Sequence, residues 1–192
     1  MQMPRCSSQR LVGVAVLACA TVLACATVLA PIASLVGASP VGPAGAVATP
    51  TCTTSGLVIW MNTEGNGTAG SVYYNLEFTN LSGHTCTMFG YPGVSAVNLA
   101  GAQLGSAAHY NSIAKPTVVT IADGATASAV VQIVDVGVFP GTCAPVHAAG
   151  LRVYPPDQTT AKIVPFPFLA CSRSGPIFVN ARPIEKGMSG TN

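Results

Sequence analysis

The sequence predicts an all-β fold, an immunoglobulin-like antiparallel β-sandwich of about eight or nine strands. Three observations favour this class. Residues 71–79 alternate apolar and polar side chains with a period of two, which is typical of a half-buried strand. Similar short apolar segments recur roughly every 10–15 residues and are separated by Gly, Pro, Asn and Asp. No segment of the domain has the 3.6-residue periodicity that predicts a helix.

Nine strands can be placed along the chain from these patterns. Trp60, the only tryptophan, lies in the first strand and is expected in the core, because a lone tryptophan in an apolar strand is usually buried. Residues 62–70 are predicted to be a loop, and residues 101–111 to be irregular. Pro165 and Pro167 cannot donate hydrogen bonds to a neighbouring strand, so their strand is expected to lie at a sheet edge or to bend away. The predicted strands are residues 57–61, 71–79, 86–90, 94–99, 116–122, 126–136, 151–154, 161–168 and 177–184.

The N-terminus has the pattern of a secretory signal peptide. Arg5 and Arg10 precede residues 11–30, which carry no charge and are almost entirely apolar. Small residues that fit a cleavage site follow at residue 38 and recur as late as residue 48. The predicted organisation is a signal peptide (1–38), a Pro/Gly/Ala spacer (39–51), the β-sandwich domain (52–184) and a loose tail (185–192).

Two alternatives to a cleaved signal stay open. The apolar segment is long enough to cross a bilayer, so it could remain as a membrane anchor. Residues 22–25, Val-Leu-Ala-Cys, resemble a bacterial lipobox, which would make Cys25 the site of lipidation. Every alternative places the domain outside the cytoplasm, secreted or in the cell envelope. A membrane is therefore expected as a partner only through an uncleaved or lipidated N-terminus.

The charge distribution argues against one class of partner. Arg5 and Arg10 are two of the eight Lys and Arg residues, and none of the six acidic residues lies in the signal region. The domain itself is therefore balanced in charge and has no basic run, so we expect no nucleic-acid partner. Charged residues make up 7% of the chain, against about 25% in typical proteins. Uncharged polar side chains must consequently cover much of the surface.

The seven cysteines fall into two groups, three in the signal region and four in the domain. Those in the domain are Cys52, Cys86, Cys143 and Cys171. An even number of cysteines in an exported domain predicts disulfides. Of the three pairings, we favour Cys52–Cys86 and Cys143–Cys171, because the midpoint of each pair falls in a polar turn about which two antiparallel strands can fold. No Cys-x-x-Cys spacing is present, so we expect no zinc site, and no other metal or cofactor.

Three segments together resemble a known family. They are residues 86–95 (Cys-Thr-Met-Phe-Gly-Tyr-Pro-Gly-Val-Ser), 119–127 (Val-Thr-Ile-Ala-Asp-Gly-Ala-Thr-Ala) and 150–156 (Gly-Leu-Arg-Val-Tyr-Pro-Pro). The family consists of exported actinobacterial domains of unknown function, found in secreted proteins and lipoproteins, and the resemblance covers roughly residues 52–184. It implies a secreted or envelope-attached β-sandwich with two disulfides. It implies no reaction, and Asp123 departs from its pattern, in which proline often precedes the turn glycine.

The sequence contains no assembled catalytic motif. Residues 112–115, Ser-Ile-Ala-Lys, match the Ser-x-x-Lys of penicillin-binding proteins, but Pro116 follows them and that chemistry needs both side chains on one helix. His84, His109 and His147 have no spacing that is typical of a metal site. Surface turns are the ordinary place for such histidines.

Five residues remain as candidates for a binding surface: Tyr91, Pro92, Tyr154, Pro155 and Pro156. A purely structural role would explain them, since prolines fix turns and tyrosines can cover the end of a sandwich. The functional interpretation is an aromatic contact surface, rigidified by proline, for a protein or glycan partner. Loops on a rigid scaffold are where such surfaces usually lie.

We therefore expect a non-enzymatic exported domain that binds a protein or glycan of the cell envelope or medium. Two other classes stay open. One is an envelope hydrolase that uses His84 or His147 with a loop serine. The other is a carrier of a small apolar ligand between the sheets, suggested by the 49% content of hydrophobic residues.

Overall fold

The computed structural model describes residues 48–188 of the chain. The signal peptide, Cys25, most of the spacer and the end of the tail lie outside the described residues. Within residues 48–188 there are twelve strands and two 3-10 turns, Thr54–Gly56 and Val136–Val138, but no α-helix. The strands are β1 (Leu57–Thr68), β2 (Ser71–Asn80), β3 (Cys86–Met88), β4 (Gly93–Val97), β5 (Gln103–Leu104), β6 (His109–Tyr110), β7 (Val119–Ile121), β8 (Thr126–Val134), β9 (Pro145–Tyr154), β10 (Lys162–Cys171), β11 (Val179–Ala181) and β12 (Glu185–Lys186).

Two sheets form the sandwich, and the predicted all-β architecture is confirmed. The larger sheet has the order β1-β2-β8-β11-β6, with β12 also pairing with β8. The smaller sheet has the order β10-β9-β4-β5, and β3 with β7 forms a separate two-stranded ladder. These strands pair antiparallel except β6 with β11, which run parallel. The strand number exceeds the predicted eight or nine because three strands of two residues each, β5, β6 and β12, lie where no strand was predicted.

The core follows from the alternation in the long strands. Leu76 and Phe78 of β2 are fully buried and lie on the face that also carries the buried Val131 of β8. The smaller sheet contributes Leu151 and Val153 to the same core cluster. Burying each large apolar side chain stabilises the folded state by roughly 1.5–3 kcal/mol. The period-two pattern of the sequence thus decides which face of each sheet is inside.

Both disulfide pairings predicted from the sequence are confirmed. Cys52 and Cys86 are bonded with their Cα atoms 4.9 Å apart, and Cys143 and Cys171 with theirs 5.0 Å apart. Cys52 precedes β1 and Cys86 begins β3, so the first disulfide joins the segments that flank the antiparallel β1–β2 hairpin, where the backbone pairing of Thr51 with Thr87 is parallel. Cys143 precedes β9 and Cys171 ends β10, so the second disulfide lies at the end of the β9–β10 hairpin. The hairpin turns lie close to the midpoints used for the prediction.

The prediction that Trp60 is in the core was wrong. Its side chain is 37% exposed, and its indole Nε1 donates a hydrogen bond of 3.3 Å to Thr79 Oγ1 on β2. Leu57, Ile59 and Met61 are the buried residues of β1. Because successive side chains of a strand point to opposite faces, Trp60 must lie on the outer face of the larger sheet.

Three segments are more regular than the sequence predicts. Residues 62–68, predicted as loop, continue β1 as an exposed edge strand whose partner is the start of β2. The irregular segment 101–111 contains β5 and β6. The tail is not loose at its start, because Glu185 and Lys186 pair with Ser128 and Ala127 of β8. In each case a neighbouring strand supplies backbone hydrogen bonds that local sequence patterns do not reveal.

The strand with Pro165 and Pro167 is β10, and its predicted edge position is confirmed. It is the outermost strand of the smaller sheet. Its pairing with β9 has an irregularity between Pro165 and Phe168. Opposite Pro165 lies Gly150, where a Cβ would be 2.2 Å from the Val164 carbonyl oxygen. Only glycine permits this close approach of β9 to β10.

Candidate functional site

The two tyrosine–proline segments singled out in the sequence lie side by side. Gly93 at the start of β4 pairs with Tyr154 at the end of β9. A Cβ at Gly90 would lie 4.0 Å from Pro156 Cβ, so the chain before β4 also reaches the β9–β10 turn. The pairing of β4 with β9 therefore assembles one surface region from distant parts of the sequence.

The three prolines of this region cannot belong to a contact surface, which corrects the sequence interpretation. Pro92, Pro155 and Pro156 are all buried. Gln158 N donates to Pro155 O at 3.1 Å, and Asp157 has a φ of 59°, which together with Pro156 gives the geometry of a type II turn. The prolines thus shape the chain, while Tyr91 and Tyr154 are half-buried and keep part of their surface accessible.

Tyr91 stacks on an aromatic residue that the sequence did not single out. Its ring lies 4.8 Å from that of Tyr110, with an angle of 21° between the planes. The Tyr91 hydroxyl donates a hydrogen bond of 3.4 Å to Ala114 O. Tyr110 belongs to β6, at the border of the larger sheet, whereas Tyr91 precedes β4 of the smaller one. The stacked pair therefore bridges the two sheets at one side of the sandwich.

Three apolar side chains extend this pair into a patch. Phe89 follows the Met88–Val119 pair at the end of the β3–β7 ladder, which brings it next to Val118. Ile113 lies in the loop that the Tyr91 hydroxyl contacts. The exposed fractions are 51% for Phe89, 51% for Tyr110, 79% for Ile113 and 66% for Val118. We call this patch, made of Phe89, Tyr91, Tyr110, Ile113 and Val118, the tyrosine edge.

The tyrosine edge has the chemical character of a binding surface. Contiguous exposed apolar side chains are uncommon on soluble domains and usually mark an interaction site. Within residues 89–91 and 110–118 the only charged residue is Lys115. The ring stack and the hydroxyl contact hold the aromatic part in place before any partner arrives, so little conformational entropy is lost on binding.

The residues considered for hydrolase chemistry are engaged in turn structure. Ser82 Oγ donates to Asn80 Oδ1 at 2.7 Å, and His84 Nδ1 lies 3.1 Å from the backbone oxygen of Ser82. The hydroxyl and the ring of these two neighbours therefore bind other groups and not each other. His109 and His147 are exposed on strands of different sheets, β6 and β9.

The remaining chemical motifs are also dispersed. Residues 112–115, with the Ser-x-x-Lys match, form part of an irregular loop between β6 and β7 and no helix. Within residues 48–188 no group of three or more His, Cys, Asp or Glu side chains could hold a metal ion. In that same part of the chain no helix has the length and hydrophobicity needed to cross a membrane.

Sequence reasoning found only Tyr91 among the five residues of the tyrosine edge. Tyr110 was missed because it meets Tyr91 through the parallel pairing of β6 with β11, which no local pattern encodes. A signal was nevertheless present in residues 110–118, where Tyr, Ile and Val are interspersed with loop residues. Isolated large apolar residues in a segment without periodicity are candidates for exposure.

The comparisons with known proteins give one match. The family described as Domain of unknown function (DUF4232) matches residues 52–180, more than half of the chain. These residues run from the first cysteine of the domain into β11, so the match covers both disulfides and all of the tyrosine edge. No curated protein and no solved structure matches the chain.

Proposed function

Since the chain belongs to the family DUF4232, whose description names no activity, we propose its function from its own surface. The protein is an exported, non-enzymatic β-sandwich domain that binds a partner in the cell envelope or the medium. The tyrosine edge is the binding surface. The observation that carries this proposal is the stacked pair Tyr91–Tyr110 with three exposed apolar neighbours, because a folded domain rarely keeps such a patch without a partner.

Export is supported by two independent features. The N-terminal 38 residues have the charge and hydropathy pattern of a secretory signal. The domain has two disulfides, which persist in oxidising compartments outside the cytoplasm. A lipid on Cys25 would hold the domain at the membrane, whereas cleavage between residues 38 and 48 would release it. In both cases the partner is met outside the cytoplasm.

A protein partner fits the tyrosine edge better than a glycan. Phe89, Ile113 and Val118 present only carbon to the partner, and Lys115 is the single charged residue of the segments 89–91 and 110–118 that form the patch. Aromatic residues with depleted charge are typical of the centre of protein–protein interfaces. The five residues of the tyrosine edge contribute only tyrosine hydroxyls as hydrogen-bonding groups, and the exposed Ser112, Lys115 and Thr117 of the same segment fit the polar rim of a protein interface.

The binding proposal is tested with three matched variants of the exported protein. Ile113→Ser and Val118→Ser remove apolar surface from the tyrosine edge without removing core contacts. Leu99→Ser is the control, because Leu99 is 97% exposed on the turn after β4 and outside the patch. Wild type and variants are immobilised and exposed to envelope and medium fractions of the producing cells.

We expect one protein to be retained by the wild type and by Leu99→Ser but lost with Ile113→Ser and Val118→Ser. A ligand retained equally by all four proteins would refute the assignment of the surface. Captured material that survives protease and is removed by glycosidases would replace the protein partner by a glycan.

The non-enzymatic part of the proposal has a separate test. The hydrolase alternative needs a serine that a histidine activates, and such a serine reacts with fluorophosphonate probes. We expect no labelling of the folded protein. Labelling that disappears in Ser82→Ala or His84→Ala would overturn this part and leave the tyrosine edge to be judged by its own experiment.

A further inference from the structure

A groove lies between the two sheets, at the end of the sandwich where β2 begins and β8 ends. Its volume is about 360 Å³, and its walls include Tyr74 of β2, Ile133 of β8 and Phe168 of β10. Small-molecule sites usually have volumes of about 300–1,000 Å³ and predominantly apolar walls, so the groove suits a compact ligand. It shares no residue with the tyrosine edge, and its occupant is therefore independent of the partner proposed above.

The aromatic walls of the groove are fixed by the core. The Tyr74 ring meets Phe166 edge-on at 4.8 Å, and Phe166 lies 6.0 Å from Phe168. Phe168 in turn lies 6.5 Å from the buried ring of Phe178. This row of rings crosses from the larger sheet to the smaller one. The groove is thus preformed, and a ligand entering it would not have to order its walls.

The charge of the groove is set by one side chain. Among the residues that line the groove there is one acidic residue, Asp135, which is exposed, and there is no Lys, Arg or His. Gly137 N donates a hydrogen bond of 2.8 Å to Asp135 Oδ1, which holds the carboxylate in position at the start of the 3-10 turn Val136–Val138. A carboxylate in a groove that aromatic side chains also line attracts cations, because negative charge and aromatic rings both favour positive charge.

We propose that this groove binds a small organic cation, an ammonium group carried on a compact apolar body. The ammonium group lies at Asp135, and the apolar body lies against Tyr74, Ile133 and Phe168. An anionic ligand of the same size is disfavoured by the carboxylate. An uncharged apolar ligand gains only the contacts with the walls.

The proposal is tested on the full exported protein with probes of similar size and opposite charge. Benzyltrimethylammonium is titrated against the ¹⁵N-labelled protein, and phenylacetate serves as the anionic counterpart. We expect saturable shifts of the amide signals of Gly70, Ser71 and Asp135, with a dissociation constant on the order of a millimolar for about ten non-hydrogen atoms. Phenylacetate is expected to give no saturable shifts at these residues.

Variants identify the residue that carries the selectivity. Asp135→Asn keeps the acceptor for Gly137 N but removes the charge, and should weaken binding of the cation about fivefold. Asp157→Asn, at the opposite end of the sandwich, and Ile113→Ser, in the tyrosine edge, should leave it unchanged. Equal binding of both probes, unchanged affinity in Asp135→Asn, or no saturable shift with the cation each overturns the proposal. The comparison of probe charge uses the unaltered protein, so it remains decisive if Asp135→Asn does not fold.

Discussion

The two ends of the paired strands β2 and β8 differ in how well they are closed to solvent. At the end marked by Asn80, the side chain of Asn80 is fully buried and both sulfur atoms of Cys52–Cys86 belong to buried residues. At the end marked by Ser71, the groove is open, and in the second disulfide Cys171 is buried but Cys143 is only half-buried. We refer to these as the closed end and the open end.

Hydrogen bonds account for much of this difference. Asn80 Nδ2 donates to His84 O at 2.8 Å and to Ile121 O at 3.0 Å, while its Oδ1 accepts from the amide and the hydroxyl of Ser82. One side chain therefore ties β2, β7 and the β2–β3 turn together. At the open end, most of the side chains between the sheets are the apolar and aromatic side chains that line the groove. The closed end is therefore held by hydrogen bonds from one buried asparagine, whereas the groove at the open end rests on a row of aromatic rings.

The largest predicted effect comes from removing the disulfide of the closed end. The two disulfides close similar loops, with sequence separations of 34 and 28 residues, so chain entropy alone makes each worth about 3–4 kcal/mol. Replacing Cys52 and Cys86 by alanine also leaves a cavity in the core, which adds about 1 kcal/mol. Urea unfolding followed by far-UV circular dichroism should therefore show a greater loss for this double variant than for the alanine variant of Cys143 and Cys171. The reverse order would contradict the assignment of closed and open ends.

The second-largest predicted loss of stability comes from replacing Asn80, the buried polar residue of the closed end. Asn80→Ala removes four hydrogen bonds and leaves the buried carbonyl of Ile121 without its side-chain donor, so we expect a loss of about 3 kcal/mol. Asn98→Ala is the matched control, because Asn98 Oδ1 accepts a single hydrogen bond, from Ala102 N, in a surface turn. Its cost should stay below about 1 kcal/mol. Equal costs for the two variants, measured by the same urea unfolding, would show that the network does not hold the closed end.

The smallest predicted changes in stability come from substitutions in one turn at each end. Both turns have proline followed by a residue with positive φ, Pro156-Asp157 at the closed end and Pro140-Gly141 at the open end, with φ values of 59° and 77°. Asp157→Gly should stabilise the protein by about 0.5–1 kcal/mol, because glycine adopts positive φ without steric cost. Gly141→Ala should destabilise it by about 1 kcal/mol from backbone strain alone, since a Cβ there would have no neighbour within 4 Å. A shift of the melting temperature in calorimetry gives the sign, and a destabilised Asp157→Gly would show that the carboxylate supports its turn.

The sequence allowed the prediction of several features that depend on local order, but not of the strand at residues 62–68. The disulfide pairing was predicted from turns near the midpoint of each cysteine pair. The core face of β2 was predicted from the alternation of apolar and polar side chains. The error at Trp60 arose because a rule for lone tryptophans was preferred to the alternation of Leu57, Ile59 and Met61. The tyrosine edge was only partly predictable, because Tyr110 reaches Tyr91 through a parallel pairing between distant segments. The groove was not predictable beyond its apolar nature, since Tyr74, Asp135 and Phe168 are brought together by the packing of two sheets.

The outward position of Trp60 has a consequence for spectroscopy. Its indole is partly in water in the folded protein and fully in water after unfolding, so its fluorescence maximum should move little between the two states. Trp60 lies on β1, the edge strand of the larger sheet, opposite Glu77 of β2, and it belongs to neither the tyrosine edge nor the groove lining. We therefore expect the fluorescence of Trp60 to change little when a ligand binds at the tyrosine edge or in the groove. The substitution Phe168→Trp would add a fluorescent reporter for the groove, and Tyr110→Trp would add one for the tyrosine edge.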